Sequence, residues 1–140
     1  MKTWLIVILL FTVALSACMP SVSAGSEIDT ATALTSDNGR FKVSYRSELE
    51  PAEINQLHSW VLHVEDASGQ PLENATINVK GWMPDHGHGL PTAPRVTEAL
   101  GNGDYRLEGI KYSMPGHWEM TVEIQAGDQT DSVTFNLNLP

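Results

Sequence analysis

The feature that most constrains the fold is a series of short segments in which apolar and polar residues alternate. In the segment 118–124 every second residue is apolar, which is the period of a β-strand with one buried face. Seven such segments are predicted as strands: 40–45, 58–65, 75–80, 94–100, 105–110, 118–124 and 133–139. Turn residues separate them, Gly101-Asn102-Gly103-Asp104 being the strongest hairpin signal, and no stretch has a helical period. We therefore expect an all-β chain, a seven-stranded antiparallel sandwich of the Ig-like or cupredoxin-like kind.

The first 17 residues have the pattern of a lipoprotein signal peptide. Lys2 provides a positive start, and residues 3–14 form an apolar run too short to span a membrane. The run closes on Leu15-Ser16-Ala17-Cys18, which resembles the lipobox of bacterial lipoproteins. That resemblance implies cleavage before Cys18 and attachment of a diacylglycerol to its sulfur. The alternative is an ordinary secretory peptide that is cut near Ala17.

The rest of the chain divides into a linker and one domain. Cys18 is the only cysteine, so no intramolecular disulfide is possible. Residues 18–38 are rich in Ser, Ala and Thr and are predicted to be a flexible linker, followed by a single domain over 39–140. The formal charge of −9 argues against nucleic acid as a partner. We expect a protein that is attached to a membrane by lipid on Cys18 and faces the periplasm or the cell exterior.

Two short runs combine methionine with histidine. The first contains Met83, His86 and His88, and the second contains Met114 and His117. Thioether sulfur and neutral imidazole together suit a soft metal ion, copper(I) above all. The five residues are therefore predicted as metal ligands, with copper(I) as the cofactor.

The order of the strands predicts that the two runs meet. The first run follows the third predicted strand, and the second follows the fifth. Two antiparallel reversals separate them, so both loops return to the same end of the sandwich. Binding residues are commonly found in loops that cluster at one end of a sheet scaffold. We therefore expect one site shared by both loops.

Other interpretations of these residues remain open. Met83 and Met114 are also suited to core packing, and the loop histidines to simple exposure to solvent. Met120 is in phase with the core positions, and His58 and His63 have no partner motif, so these three are expected to be structural or exposed. A hydrolytic zinc site would use His86, His88, His117 and Asp85 but would leave the methionines unexplained. No nucleophile elbow, paired carboxylates or phosphate loop is present, and the chain is expected not to be an enzyme.

The pattern from Gly81 to Ile124 resembles the YtkA-like/FixH-like domain family. The residues that carry the resemblance are Met-Pro-x-His-x-His over 83–88, then Gly103-Asp104-Tyr105, then 114–122. The resemblance implies a small exported or membrane-anchored β-sandwich with a role in copper handling, in some members linked to cytochrome oxidase assembly. The expected function is thus a copper(I)-binding lipoprotein that holds copper or delivers it to a receiving protein. The alternative is a membrane-anchored interaction or assembly module that binds no metal.

Overall fold

The computed structural model describes residues 28–140, whose regular secondary structure consists of nine β-strands. They are β1 (Ala33–Thr35), β2 (Phe41–Ser47), β3 (His58–Asp66), β4 (Thr76–Met83), β5 (His88–Gly89), β6 (Arg95–Gly101), β7 (Asp104–Ile110), β8 (Gly116–Ala126) and β9 (Gln129–Leu139). Every pair of neighbouring strands is antiparallel, which confirms the predicted all-β class. The predicted signal peptide, the lipidation site Cys18 and the linker up to residue 27 lie outside the described residues. Within the described part, no helix is long and apolar enough to cross a membrane.

The strands form one antiparallel sheet that nearly closes on itself. Their order is β1-β2-β3-β7-β6-β4-β8-β9, and β5 pairs with β4 at the side of this path. β6 and β4 share a single register pair, Asn78 with Arg95. The sheet therefore folds over at this weak joint into two halves, and β1 approaches β9 on the opposite side.

The core lies between the two halves and follows from the alternation in the sequence. On β8, the residues at every second position from Trp118 to Ile124 are fully buried, as the predicted face of this strand requires. Side chains from the other half meet them, including Trp60, Leu62 and Leu107. Each such burial contributes roughly 1.5–3 kcal/mol relative to an exposed side chain. Met120 belongs to this core, as expected from its phase.

Two of the nine strands are not among the seven predicted. β1 has three residues and β5 has two, which is too short for an alternating pattern to be detected. The position of β1 also differs from the prediction for this part of the chain. Residues 33–35 were assigned to the linker, but they pair with residues 42–44 of β2. The folded part of the chain therefore includes residues before 39.

The two ends of the sandwich differ in what they carry. At one end, here called the upper end, β4 and β7 finish and β8 begins, so the loops 84–87 and 111–115 both emerge there. At the opposite or lower end lie the predicted hairpin turn at Asn102-Gly103 and the turn at Gly127-Asp128. The two Met/His loops thus share one end, as expected from antiparallel succession.

Candidate metal site

The first Met/His run forms a tight hairpin. β4 ends at Met83, just before Pro84, which cannot donate a hydrogen bond to a neighbouring strand. The backbone N–H groups of His86 and Gly87 donate to the carbonyl oxygen of Met83 at 3.2 and 2.9 Å. The chain then returns along β4, so that His88 lies opposite Met83. This hairpin fixes the backbone of His88 at the rim of the core.

The His88 ring contacts the second run directly. Its Nε2 lies 3.3 Å from Met114 Sδ, and its Nδ1 lies 3.0 Å from the carbonyl oxygen of Gly89. The ring also meets Trp118 edge-on, with the centroids 5.8 Å apart. Residues from the two loops, 26 positions apart in sequence, are therefore in contact. The two loops thus meet, as the order of the strands predicts.

The contact with Gly89 favours one tautomer of the His88 ring. A carbonyl oxygen can only accept, so the tautomer with its proton on Nδ1 makes this hydrogen bond and leaves a lone pair on Nε2. That lone pair faces the sulfur of Met114, which is itself only a weak acceptor. With this tautomer, two electron-pair donors lie 3.3 Å apart. A cation to one side of the line that joins them could be bound by both, because bond lengths of about 2.0–2.3 Å are compatible with this separation.

The backbone at Met114 is held by a buried tryptophan. Trp118 is fully buried, and its Nε1 donates to the carbonyl oxygen of Met114 at 3.0 Å. Trp118 therefore touches both partners, Met114 through its N–H and His88 through its ring. The sequence analysis placed Trp118 only in the core and did not predict these two contacts. The spacing of four residues from Met114 was the available signal.

Met83 and His86 lie on either side of the contact between His88 and Met114. Met83 is buried in the core, and its methyl group lies 2.9 Å from where a Cβ at Gly116 would be. His86 is exposed, and its ring centroid lies 6.0 Å from that of His88. Both predicted residues thus lie near His88, one in the interior and one in solvent.

The structure does not bring His117 to this group. His117 alternates with buried Trp118, so its ring lies on the outer face of β8. There its Nε2 lies 2.9 Å from Oδ1 of Asn136 on β9. Of the five residues predicted as ligands, this one is directed away from the contact between the loops.

Three buried polar atoms have no hydrogen-bond partner among the described protein atoms: the hydroxyl of Thr92, which follows β5, and two atoms at the upper end. The two at the upper end are Nε2 of His58 and the hydroxyl of Tyr112. The Tyr112 ring lies between those of His58 and Trp118, at centroid distances of 5.3 and 5.5 Å. Burial lowers the pKa of the His58 imidazole against the opposing hydrogen bond to the Gln56 carbonyl. Sequence reasoning missed this pair because an unmatched polar atom is recognised only when its neighbours are known.

At the lower end, by contrast, the polar side chains of Asp131 and His63 have hydrogen-bond partners. The carboxylate of Asp131 accepts hydrogen bonds from the Ser36 hydroxyl at 2.7 Å and from the Asn38 side chain at 2.8 Å. Burial alone would raise the pKa of Asp131, but these bonds outweigh it and hold the pKa well below its usual range. His63 lies between Asp104 and Glu65, at 2.6 and 3.3 Å. Partial burial lowers the pKa of His63, but the two carboxylates outweigh it and raise the pKa above its ordinary value.

Within residues 28–140, no three His, Cys, Asp or Glu side chains form a group suited to a metal ion. The candidate site consists instead of an imidazole and a thioether, with a second imidazole and a buried methionine beside them. Fold and site together define a small antiparallel β-sandwich with a Met/His cluster at one end.

The family model of the YtkA-like domain matches residues 33–123. The match covers more than half of the chain, which belongs to the YtkA-like family. No curated protein is significantly similar to the chain.

A solved structure has the same fold. It is the 2.09 Å crystal structure of a DUF4426 family protein from Pseudomonas aeruginosa PAO1, with a TM-score of 0.56 and 16% sequence identity. The similarity covers 77% of this chain and 94% of that protein. At this level of identity the comparison supports the fold alone.

Proposed function

We propose that the protein is a lipid-anchored, extracytoplasmic copper(I)-binding protein that holds or delivers copper. The observation that carries this proposal is the contact of His88 Nε2 with Met114 Sδ at 3.3 Å, with Nδ1 committed to a carbonyl oxygen. This arrangement places one soft and one borderline donor 3.3 Å apart, a combination that favours copper(I) over zinc or calcium. The lipobox-like Leu15-Ser16-Ala17-Cys18 supports the lipid anchor.

In this proposal His88 and Met114 are the ligands. His86 is close enough to join through a change of side-chain rotamer, because it is exposed and adjacent to His88. Met83 supports the site from the core, and its sulfur is a further donor. His117 stays outside this set because its ring is engaged by Asn136. An incomplete ligand shell suits a protein that passes its metal on, and the family resemblance suggests cytochrome oxidase assembly as one destination.

Copper(I) titration against a chromophoric competitor tests the proposal. The Cys18→Ser variant of the full chain removes the only thiol, so binding by an unmodified cysteine cannot be mistaken for the site. We expect one copper(I) ion per chain and a much weaker response to zinc. Equal affinity for zinc and copper(I), or no binding of copper(I), would contradict the proposal.

A membrane-anchored interaction module that binds no metal is the second candidate. It is favoured by exposed apolar side chains at the same end of the sandwich, Leu57 at 64% and Trp82 at 47% relative exposure. Large exposed aromatic residues are enriched at protein–protein interfaces. The same titration separates the two candidates, because the module requires no metal response.

A further inference from the structure

The direction of β1 determines where the chain enters the sandwich. β1 runs antiparallel to β2, with Ala33 opposite Ser44 and Thr35 opposite Lys42. Residues before Ala33 therefore run toward the end of β2 at Ser47, and the Tyr45 N–H continues the ladder by donating to the Thr32 carbonyl at 3.0 Å. β2 ends beside the start of β3, which is the upper end.

A cleft between β2 and β9 supports the same placement. Its volume is about 330 Å³, and Thr30 and Thr32 line it together with Ser47, Leu139 and Pro140. Leu139 lies opposite Gly116 at the start of β8. The first described residues therefore lie at the same end as the contact between His88 and Met114.

Exposed apolar side chains are concentrated at this end. Of the four large hydrophobic residues that are exposed in the described part of the chain, Leu57 and Trp82 lie at the upper end, and Ile28 precedes β1 in the segment that enters there. The fourth, Leu100, lies at the lower end beside the hairpin turn. Trp82 projects from the outer face of β4, one residue before Met83.

We infer that the upper end faces the membrane, and that the protein exchanges its metal with an integral membrane protein. The orientation rests on the proposed lipid anchor, and the metal exchange rests on the proposed copper(I) binding. At no more than about 3.6 Å per residue, the chain from Cys18 to Ile28 spans at most about 36 Å. The lower end is displaced from the upper end by the length of β8, about 31 Å from Gly116 to Gln125. Because the tether is attached at the upper end, the site should on average lie closer to the bilayer than the lower end does.

The negative charge of the chain favours a protein over lipid headgroups as the partner. The formal charge is −9, which opposes adsorption to the anionic lipids that attract basic segments. Apolar residues such as Leu57 and Trp82 suit the apolar core of a protein–protein interface. The expected partner therefore presents a complementary apolar and basic surface just above the bilayer.

The orientation is tested with a matched pair of variants of the lipidated full chain. Acylated Cys18 would leave no free thiol, so Gln56→Cys at the upper end or Gln125→Cys near the lower end would accept a single fluorophore. Both positions are exposed. In phosphatidylcholine vesicles with a headgroup acceptor dye, energy transfer from position 56 should be at least about twofold more efficient, given the offset of about 31 Å.

Equal transfer, or more efficient transfer from position 125, would overturn the orientation. Mass spectrometry of the native N-terminus is done first, and an unacylated N-terminus would overturn the anchor in the proposed function and this inference with it. Failure of the copper(I) titration would overturn the metal function and the metal exchange but leave the orientation result standing.

The partner is tested in native membranes with a photo-crosslinker at the same two positions. We expect an adduct from position 56, but not from position 125, with a protein that remains in alkali-washed membranes. Changing Leu57 to Ser should reduce the yield at least severalfold. An adduct with a protein released by the wash, or no adduct from position 56, would overturn the membrane partner.

Discussion

The two ends of the sandwich differ in whether their polar side chains have hydrogen-bond partners. At the lower end the Asp131 carboxylate and the His63 ring are held by neighbouring side chains at 2.6–3.3 Å. At the upper end His88 Nε2 faces a sulfur, and His58 Nε2 and the Tyr112 hydroxyl have no partner among the described protein atoms. Buried polar groups ordinarily have hydrogen-bond partners. A buried polar group without a partner therefore suggests a role other than stability. The proposed site lies at the upper end, and from this contrast we expect the lower end to be structural.

The largest effect that would sharpen this contrast is the loss of copper(I) affinity in His88→Ala. Removing an outer partner of a metal site already costs 10–100-fold, so loss of a ligand should weaken binding by about 100-fold or more. His63→Ala at the lower end is the matched control and should leave the copper(I) affinity unchanged. If both variants bind like the parent protein in a competition titration, the upper end has no special role in binding metal.

A second comparison uses one glycine at each end. Gly103 at the lower end has φ +77°, and a Cβ there would lie 2.6 Å from the Val64 carbonyl oxygen. Gly116 at the upper end has φ +114°, and a Cβ there would lie 2.9 Å from the Met83 methyl group. Each Gly→Ala change should lower the free energy of unfolding by about 1–3 kcal/mol through crowding and backbone strain.

Their effects on binding should differ. Gly116→Ala displaces Met83 under the site, so copper(I) affinity should fall along with stability, whereas Gly103→Ala should leave affinity unchanged. Chemical denaturation and copper(I) competition on the same samples measure both quantities. Equal affinity loss in the two variants would mean that binding depends on overall stability rather than on the upper end.

Trp118→Phe should have a smaller effect, confined to the upper end. The change keeps an aromatic ring beside His88 but removes the N–H that holds the Met114 carbonyl. Copper(I) affinity should fall by about 10-fold, the lower limit for groups that orient ligands. Stability should fall by about 1 kcal/mol for the lost hydrogen bond, plus any cost of the smaller ring. Trp60→Phe, in the opposite half of the core, is the control for a general loss of packing.

The smallest expected effect is a pH dependence of stability with opposite signs for the two structural histidines. The folded-state pKa of His63 is raised, so its contribution is complete below about pH 6.5 and is lost as the pH rises through the folded-state value. The folded-state pKa of His58 is lowered, so the free energy of unfolding falls as the pH falls below about 6.5.

Thermal unfolding between pH 5 and 8 measures both slopes. His63→Gln should remove the loss on the alkaline side, and His58→Gln the loss on the acid side. The contribution of His63 to the free energy of unfolding should be less than about 1 kcal/mol, because its partly exposed ion pairs are screened by solvent. Identical pH profiles for the two variants would show that the ends do not differ in this respect.

Much of the fold was predictable because its signals are local. The alternation along β8 and the Gly101–Asp104 turn each identify their own element, and the structure confirms both. β1 and β5 escaped prediction because they consist of a few residues that become strands only by pairing with β2 and β4. Local pattern therefore predicted the class and the long strands, and pairing determined the rest.

The site was predictable only in part. The antiparallel order of the strands correctly predicted that the loops of His88 and Met114 meet. It did not predict that His117 turns outward to Asn136, a partner 19 positions away on another strand. The role of Trp118 was missed for a related reason, because the same alternation that marks it as core conceals its N–H bond to Met114. Whether the predicted ligands bind copper remains a prediction.

The last strand has a consequence for how the protein matures. β9 pairs with β8 along the entire length of β8, from Gly116 opposite Leu139 to Ala126 opposite Gln129. β8 carries Trp118 and follows directly on the loop of Met114, so this pairing holds one side of the site in place. A chain emerging N-terminus first would present His88 early but would lack a fixed Met114 until β9 had arrived. Under the proposed function, capture of a metal ion would thus wait for β9, and a product truncated before β9 would not compete for the metal.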